Sequence, residues 1–360
     1  MKPRMGWVSP GTRWMKGMSA SLQPSWTLHT ARNQRVFAQC VIVCDKPVWV
    51  TVGEHLSFDW SAGLPRARLA ARLEDESGTA AVTSAEVSLR WIGFVPDEAG
   101  NMVADPILTK DSLELIAGEG QPLWVEIRIP KDAAPGEYSL KVTAYLHEGW
   151  NAETAVASCE LRIVVHRVVL PDPAGYAFHL DFWQHPTRWA AYYNVPRWSK
   201  QHWRIIESMA LELASCGQKA ITVIASDAPW GGQSCRLVES DPLALYEFNM
   251  IQVIRDADGN LRCDFTVLDK YVETFHRAGV RGEIEVYGLL GVWQNEFGQP
   301  IHDYPDPVRV RYYDVRRGVY DFLGTKEDLR TYIRLLVDHF RARGWFESVR
   351  IASDEPANVE

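Results

Sequence analysis

The feature that most constrains the fold is a change of periodicity near residue 170. Before this point apolar and polar residues alternate, as in "WVEIRIP", where Val125, Ile127 and Ile129 fall on one side of a strand. Turn signals such as Pro135-Gly136 separate the alternating runs. After an N-terminal segment of residues 1–19, we therefore predict a β-sandwich over residues 20–168.

Beyond the change, short apolar strands alternate with helices. Pro171 and Pro173 predict a stiff linker over residues 169–174. Each predicted helix has a capping residue at its start and a glycine near its end, namely Ser199 and Gly217, Thr266 and Gly279, and Thr325 and Gly344, with Asp328 placed for a capping box. A hairpin turning at Asp258-Gly259 interrupts the repeat.

This repeat of strand and helix predicts a parallel sheet with right-handed crossovers. A doubly wound sheet and a (β/α)8 barrel both fit. No glycine-rich phosphate loop follows the first strand, "GYAFHLDFW", so the dinucleotide-binding form is disfavoured. We predict that residues 175–360 form the first half of a (β/α)8 TIM-type barrel. A whole barrel has eight strands and typically ~250 residues, so we expect a fragment that is truncated after the fourth barrel strand.

Composition excludes several classes of protein. The formal net charge is −8, with no basic cluster, which argues against a nucleic-acid partner. No stretch approaches the ~20 apolar residues of a membrane span. The N-terminal residues are basic but lack an apolar segment, so we predict no signal peptide and a cytoplasmic location. The six cysteines form no C-x-x-C pair and are expected to be reduced.

Tryptophan recurs where the predicted strands end. The chain has 15 tryptophans, and three successive strand ends carry Trp183, Trp230 and Trp293. Active sites of barrels lie at the carboxyl ends of the strands, and an indole packs well on the face of a sugar ring. The recurrence favours an aromatic pocket, although packing under loops is the alternative. Further candidates for substrate binding near these ends are Asp181, Gln184, His185, Tyr192 and Tyr287.

The fourth predicted strand runs directly into two acidic residues, Asp354 and Glu355, followed by Pro356. Such a pair is common in surface loops, but its place after a buried strand favours a catalytic role. Adjacent residues cannot act from opposite sides of a glycosidic bond as two separated carboxylates do. They suit a division of labour in which one donates a proton and the other orients a neighbouring group of the substrate.

A metal site is an alternative for the first strand end. Alternation places His179 and Asp181 on the same side of the strand, with His185 nearby. No second strand end is rich in histidine, so we favour hydrogen bonding of these side chains to substrate or to a neighbouring strand.

Several of these stretches resemble a known family. "FHLDFWQHPTRWAAYYNVPRWSKQHW", "GQKAITVI", "DKYVETFHRAGV" and "ASDEP" resemble the catalytic domain of glycoside hydrolase family 123, which comprises exo-acting N-acetyl-β-galactosaminidases and their relatives. "TARNQRVFAQCVIV" and "DAAPGEYSLKVT" resemble the N-terminal domain of that family. The stretches "LDFWQHP" and "SDEP" are the most specific parts of the resemblance.

The resemblance implies a retaining, substrate-assisted cleavage of terminal β-linked N-acetylgalactosamine or a related N-acetylhexosamine. It implies that Glu355 is the acid/base and that Asp354 orients the 2-acetamido group. The substrate would be a glycan or glycoconjugate, and no cofactor is implied. Two alternatives stay open: a metal-dependent barrel hydrolase using His179, Asp181 and His185, and a non-catalytic glycan-binding protein. Because we expect a fragment, we also expect little or no activity from this chain alone.

Overall fold

The computed structural model describes residues 3–19, 21–53, 63–75, 86–147, 152–229, 246–290, 300–304 and 307–353. The chain divides into two compact units, Met1–Pro171 and Asp172–Glu360. Each unit has its own apolar core. Within the described ranges, no helix is both long and apolar enough to cross a membrane.

The first unit consists of strands. They are β1 (Arg4–Val8), β2 (Ser25–Arg32), β3 (Arg35–Val43), β4 (Val48–Val52), β5 (Arg66–Asp75), β6 (Glu86–Pro96), β7 (Met102–Ile107), β8 (Ser112–Leu115), β9 (Gly120–Arg128), β10 (Gly136–His147) and β11 (Glu153–Val169). One sheet has the order β1-β3-β9-β6-β7 and the other has the order β2-β11-β10-β5-β4-β8. Most neighbours are antiparallel, but β2 is parallel to β11 and β4 is parallel to β5.

The two sheets of the first unit share one core. Val125 and Ile127 of β9 and Leu140 of β10 are fully buried in the same apolar cluster, as the alternation of their strands requires. Two thiols meet inside this core, because the Sγ atoms of Cys40 in β3 and Cys159 in β11 are 3.5 Å apart. Their hydrogen bond and their burial raise the pKa of Cys40 well above its ordinary value.

The second unit mixes helices and strands. Its elements are a short 3₁₀ helix (Pro173–Gly175), α1 (Pro186–Tyr192), α2 (Lys200–Cys216), β12 (Ala220–Ile224), β13 (Gln252–Arg255), β14 (Leu261–Asp264), α3 (Thr266–Ala278), β15 (Glu283–Tyr287), β16 (Arg311–Asp314), β17 (Val319–Phe322), α4 (Lys326–Ala342), a second 3₁₀ helix (Phe346–Ser348) and β18 (Val349–Ala352). A parallel sheet has the order β12-β15-β18. A mixed sheet has the order β14-β13-β16-β17.

The starts of the helices follow the predicted side-chain caps in two of three cases. The Ser199 hydroxyl accepts the N–H of His202 at 3.2 Å at the start of α2, which ends at the left-handed Gly217. Thr325 caps α4 in the same way. The prediction that Thr266 caps α3 is wrong, because Thr266 is the first helical residue.

The helices cover the apolar face of the parallel sheet. Ile206 of α2, Phe275 of α3 and Leu336 of α4 belong to one buried cluster with Val223 of β12 and Val286 of β15. Val223 and Val286 are directly paired across the two strands. Successive strand residues point to opposite faces, so their neighbours in sequence lie on the other face, which these helices do not cover.

The predicted fold class, an N-terminal β-sandwich followed by half of a (β/α)8 barrel, is contradicted. The described residues form four sheets and four α-helices, with neither a complete nor a half barrel. The predicted first barrel strand contributes only one bridge, between Leu180 and Gln218, and its Phe178 and Phe182 are both 55% exposed. Moreover, β13, β14, β16 and β17 pair with one another in a sheet of their own instead of extending the parallel one.

Candidate functional site

Three strand ends meet at the carboxyl edge of the parallel sheet. Ile224, the last residue of β12, is paired with Tyr287, the last residue of β15. Tyr287 is in turn paired with Ala352, the last residue of β18. The last residues of the three strands therefore lie side by side. Ligand sites of parallel sheets are found at this edge.

Close packing fixes the segments that follow β12 and β15. The Ser226 hydroxyl donates to the carbonyl oxygen of Gly288 at 2.7 Å. Gly288 has φ +93°, and a Cβ at this position would lie 2.3 Å from the Ser226 Oγ, so only glycine fits here. The Tyr332 hydroxyl of α4 donates to the Ala225 carbonyl at 2.7 Å. The edge next to β12 and β15 is thus held from both the sheet and the helix side.

The other face of the sheet carries polar side chains. The register places Thr222, Glu285 and Arg350 side by side on β12, β15 and β18. Burial, followed by the charge and hydrogen bond of Asp181 and the charge of Glu283, raises the pKa of Glu285 to about 7. A carboxyl with such a pKa can take up or release a proton near neutral pH.

The segment before α1 brings two predicted site residues, Asp181 and Gln184, to this face. Asp181 lies 3.4 Å from the Gln218 amide and interacts with Glu285. Gln184 is fully buried, and its Oε1 accepts the N–H of Thr222 at 2.6 Å. Gln184 therefore fastens the segment to β12, a structural contact that leaves its amide little room for substrate.

Two aromatic candidates lie together and a third does not join them. The rings of Trp183 and Tyr287 have centroids 6.4 Å apart, and Trp183 is 41% exposed while Tyr287 is buried. An exposed indole beside the strand ends is the kind of surface on which a sugar ring packs. Tyr192, at the end of α1, is 84% exposed and contacts Tyr193 edge-on.

A buried glutamate that the sequence interpretation missed lies beneath α1. The Glu247 carboxylate accepts the N–H groups of Thr187 and Arg188 at 3.0 and 3.2 Å, at the start of the helix. His185, another predicted site residue, has its Nδ1 3.8 Å from the same carboxylate. Burial raises the pKa of Glu247 to about 7, although these hydrogen bonds oppose the shift.

A second buried carboxylate follows β12. Asp227 accepts the N–H of Asn249 at 3.0 Å and pairs with the Arg311 guanidinium of β16 at 3.2 Å. Burial raises the pKa of Asp227, while Asn249, Arg311 and Arg197 lower it. The backbone also brings Asp227 and Glu247 together. Ala228, the residue after Asp227, exchanges two backbone hydrogen bonds of 2.9 and 2.8 Å with Glu247.

The metal alternative finds no support in side-chain geometry. His179 lies 3.9 Å from Glu283, whereas His185 lies against Glu247, and Asp181 interacts with Glu285. Among the residues that the structure describes, no three histidine, cysteine, aspartate or glutamate side chains are grouped as metal ligands.

Four predicted site residues lie outside the described residues, namely Trp230, Trp293, Asp354 and Glu355. Their roles stay predictions. Ala352 ends β18 at the carboxyl edge, two residues before Asp354 in the sequence.

The residues that were missed carry weak local signals. Glu247 is the single acid of "ALYEFNM", and an isolated charge in an apolar run is a sign of a buried, specifically bonded group. Arg311 lies more than 80 positions from Asp227 in the sequence, and only the packing of β16 brings the two together.

The second unit has carboxyl groups whose pKa is raised by burial, and an exposed indole near the carboxyl edge of a parallel sheet. This arrangement is typical of an enzyme. Comparison with known families identifies the family to which the chain belongs. The model of the glycoside hydrolase 123 catalytic domain matches residues 183–360, and that of the glycoside hydrolase 123 N-terminal domain matches residues 95–145. The chain belongs to glycoside hydrolase family 123.

One solved structure supports the fold. The chain is similar to a family 123 glycoside hydrolase from Clostridium perfringens, described in a study of glycolipid glycan hydrolysis, with 16% identity, a TM-score of 0.73 and coverage of 99% of this chain. This chain spans 59% of the length of that protein. The likeness shows the fold.

Other similarities to solved structures are too low to carry an argument. A type I cohesin from Pseudobacteroides cellulosolvens has 10% identity and a TM-score of 0.22, and covers 50% of this chain and 99% of its own. The CooA pilin subunit from enterotoxigenic Escherichia coli has 13% identity and a TM-score of 0.21, with 46% and 99% coverage. No curated protein sequence matches the chain.

Proposed function

We propose that this protein is a glycosidase that removes a terminal β-linked N-acetylhexosamine, in the galacto configuration, from a glycan or glycolipid. The observation that carries the proposal is the pairing of Ile224, Tyr287 and Ala352, which brings the end of β18 to the edge where Trp183 is exposed. Membership of family 123 supports hydrolysis of a glycosidic bond. The Clostridium perfringens relative supports a glycolipid glycan as one substrate.

In the proposed mechanism, the carbonyl oxygen of the sugar's own 2-acetamido group attacks the anomeric carbon. Glu355 protonates the leaving glycosidic oxygen as the bond to the anomeric carbon breaks. The resulting oxazolinium ion carries a positive charge, which the Asp354 carboxylate stabilises while it accepts the acetamido N–H. Glu355 then removes a proton from water as the water oxygen attacks the anomeric carbon. The bond from the anomeric carbon to the acetamido oxygen breaks, which regenerates the acetamido group and restores the configuration. Trp183 supplies a face for the sugar ring.

The proposal is tested with the 360-residue chain by combining hydrolysis with binding. A panel of nitrophenyl β-glycosides should be cleaved only when the sugar carries a 2-acetamido group, with the galacto form preferred. A thiazoline analogue of N-acetylgalactosamine mimics the oxazolinium ion and should bind at least ~10²-fold more tightly than the sugar itself.

Binding of the thiazoline is measured by calorimetry and does not require turnover. Efficient cleavage of a plain β-galactoside, or equal affinity for thiazoline and parent sugar, would contradict the substrate-assisted mechanism. Binding of both ligands without cleavage of any glycoside would favour the glycan-binding alternative.

A further inference from the structure

Two arginines share one aromatic ring beside the candidate site. The Arg197 guanidinium, between α1 and α2, lies 3.7 Å from the centroid of the Phe248 ring. The Arg311 guanidinium lies 5.5 Å from the same centroid and 5.6 Å from that of Tyr320. Stacking on rings holds the flat guanidinium groups in place while their N–H groups remain able to donate.

The two cations of this cluster differ in their acidic partners. Arg311 is paired with one carboxylate oxygen of the buried Asp227. The other oxygen of Asp227 accepts a hydrogen bond from the backbone N–H of Asn249. Within the described part of the chain, Arg197 forms no ion pair of its own. Burial and, after it, the nearby charge of Arg311 lower the pKa of Arg197, while the charges of Asp227 and Glu247 oppose the shift.

The two arginines open into a cavity of about 410 Å³. Its wall includes Asn249, the exposed Tyr320 ring and the carboxyl groups of Asp227 and Asp264. The Oδ1 atom of Asp264 accepts the N–H and the hydroxyl of Thr266 at 2.8 and 2.6 Å, at the start of α3. A cavity of this size admits a sugar residue.

We infer that this cavity is a subsite for an acidic group of the glycan, a sulfate ester or a carboxylate, held by Arg197 and Arg311. The inference rests on the proposed function, because it assumes that the ligand is a glycan. The guanidinium fork donates two parallel hydrogen bonds to the oxygens of either anion. Tyr320 contributes apolar surface for the ring that carries the anion, and Phe248 holds the two guanidinium groups in place. The substrate class becomes an acidic oligosaccharide that contains N-acetylhexosamine.

The test measures binding to the 360-residue chain by calorimetry at constant ionic strength. The probes are sulfated N-acetylgalactosamine, glucuronic acid and neutral N-acetylgalactosamine. The wild-type chain should bind at least one acidic probe saturably. Arg197→Gln should weaken that binding ~10-fold or more, because a charged hydrogen-bond donor is lost, and should leave the neutral sugar unaffected.

Two further variants complete the design. Arg204→Gln removes an exposed positive charge from α2, outside the cavity, and should change no affinity. Arg197→Lys keeps the charge without the fork and should give an intermediate loss. A preference for the sulfated probe or the uronic acid identifies the source of the anion.

Two results would overturn the inference: no saturable binding of either acidic probe, or binding that Arg197→Gln and Arg204→Gln weaken equally. Because binding is measured without turnover, acid binding by an inactive chain would support this inference while contradicting the proposed function. An active enzyme without Arg197-dependent binding would contradict this inference alone.

Discussion

The two units place their charges differently. In the described residues of the first unit, the shared core is apolar, and the buried Glu126 is paired with Arg35 and Arg90. In the second unit, Asp227 and Glu247 are buried at or near a strand end, and burial raises the pKa of both.

Burying a carboxylate opposes folding unless hydrogen bonds and counter-charges compensate for lost hydration. Such costs are concentrated where a protein needs reactive groups. The comparison therefore teaches that the first unit is built for stability, whereas the second gives up stability at one edge of its sheet for chemistry.

The largest expected effect tests whether the two acidic residues that follow β18, Asp354 and Glu355, serve catalysis. Glu355→Gln should slow hydrolysis of N-acetyl-β-galactosaminides with poor leaving groups by ~10²–10⁴-fold, because proton donation is lost. Asp354→Asn should slow substrates with good and poor leaving groups alike. Rates are measured with a series of aryl glycosides. Glu347→Gln, an exposed acid before β18, is the matched control. Near-normal rates in both Glu355→Gln and Asp354→Asn would show that this pair is not catalytic, and would contradict the contrast drawn between the two units.

The next prediction concerns the apolar unit. Leu140→Ala should lower the free energy of unfolding by ~2–5 kcal/mol, because it leaves a cavity in a fully buried core. Urea denaturation followed by circular dichroism measures the change. Lys141→Ala, at the neighbouring exposed position of β10, should stay within about 0.5 kcal/mol. Equal effects of the two substitutions would mean that the alternation of β10 does not determine its packing.

A third prediction sharpens the comparison through pH. The native state holds the Glu247 proton up to about pH 7, whereas an unfolded glutamate releases it near 4.5. Stability from this group is therefore full below pH 4.5 and is lost as the pH rises to 7. Glu247→Gln still accepts hydrogen bonds but cannot ionise.

The wild-type protein should lose unfolding free energy between pH 5 and pH 8. In Glu247→Gln this loss should be smaller by ~1–3 kcal/mol. Urea denaturation of wild type and variant at both pH values measures it. Glu347→Gln, an exposed substitution, should leave the pH dependence unchanged. An unaltered slope in Glu247→Gln would show that the carboxylate is not the source.

The smallest expected effect concerns a local signal. Ser199→Ala removes the side-chain cap of α2 and should destabilise the second unit by ~1 kcal/mol. Ser215→Ala, near the end of the same helix, keeps all backbone bonds and should have less effect. Thermal unfolding measures both. A cap effect of zero would mean that tertiary packing alone holds the start of α2.

Features set by neighbouring residues could be predicted from the sequence. The cap at Ser199, the stop at Gly217 and the hairpin at Asp258-Gly259 depend on a few adjacent positions, and the structure confirms all three. Thr266 was misjudged because Asp264, two residues earlier, already accepts its N–H.

Features set by distant residues could not be predicted in this way. The apolar run of "GYAFHLDFW" fits a strand, but a strand forms only where the run finds pairing partners. Here it forms a single bridge, between Leu180 and Gln218. Likewise, the contact of Asp227 with Arg311 and the cradle of Glu247 under α1 come from tertiary packing. The pattern of each segment was informative, while the way segments combine into sheets was not.

The two thiols between the sheets of the first unit have a consequence for kinetics. Only a thiolate reacts with an alkylating reagent, and the raised pKa of Cys40 together with its complete burial suppresses that form. Labelling of Cys40 therefore requires the two sheets to separate around it. The rate of labelling then reports how often this core opens under native conditions. It does so independently of events at the carboxyl edge of the parallel sheet in the second unit.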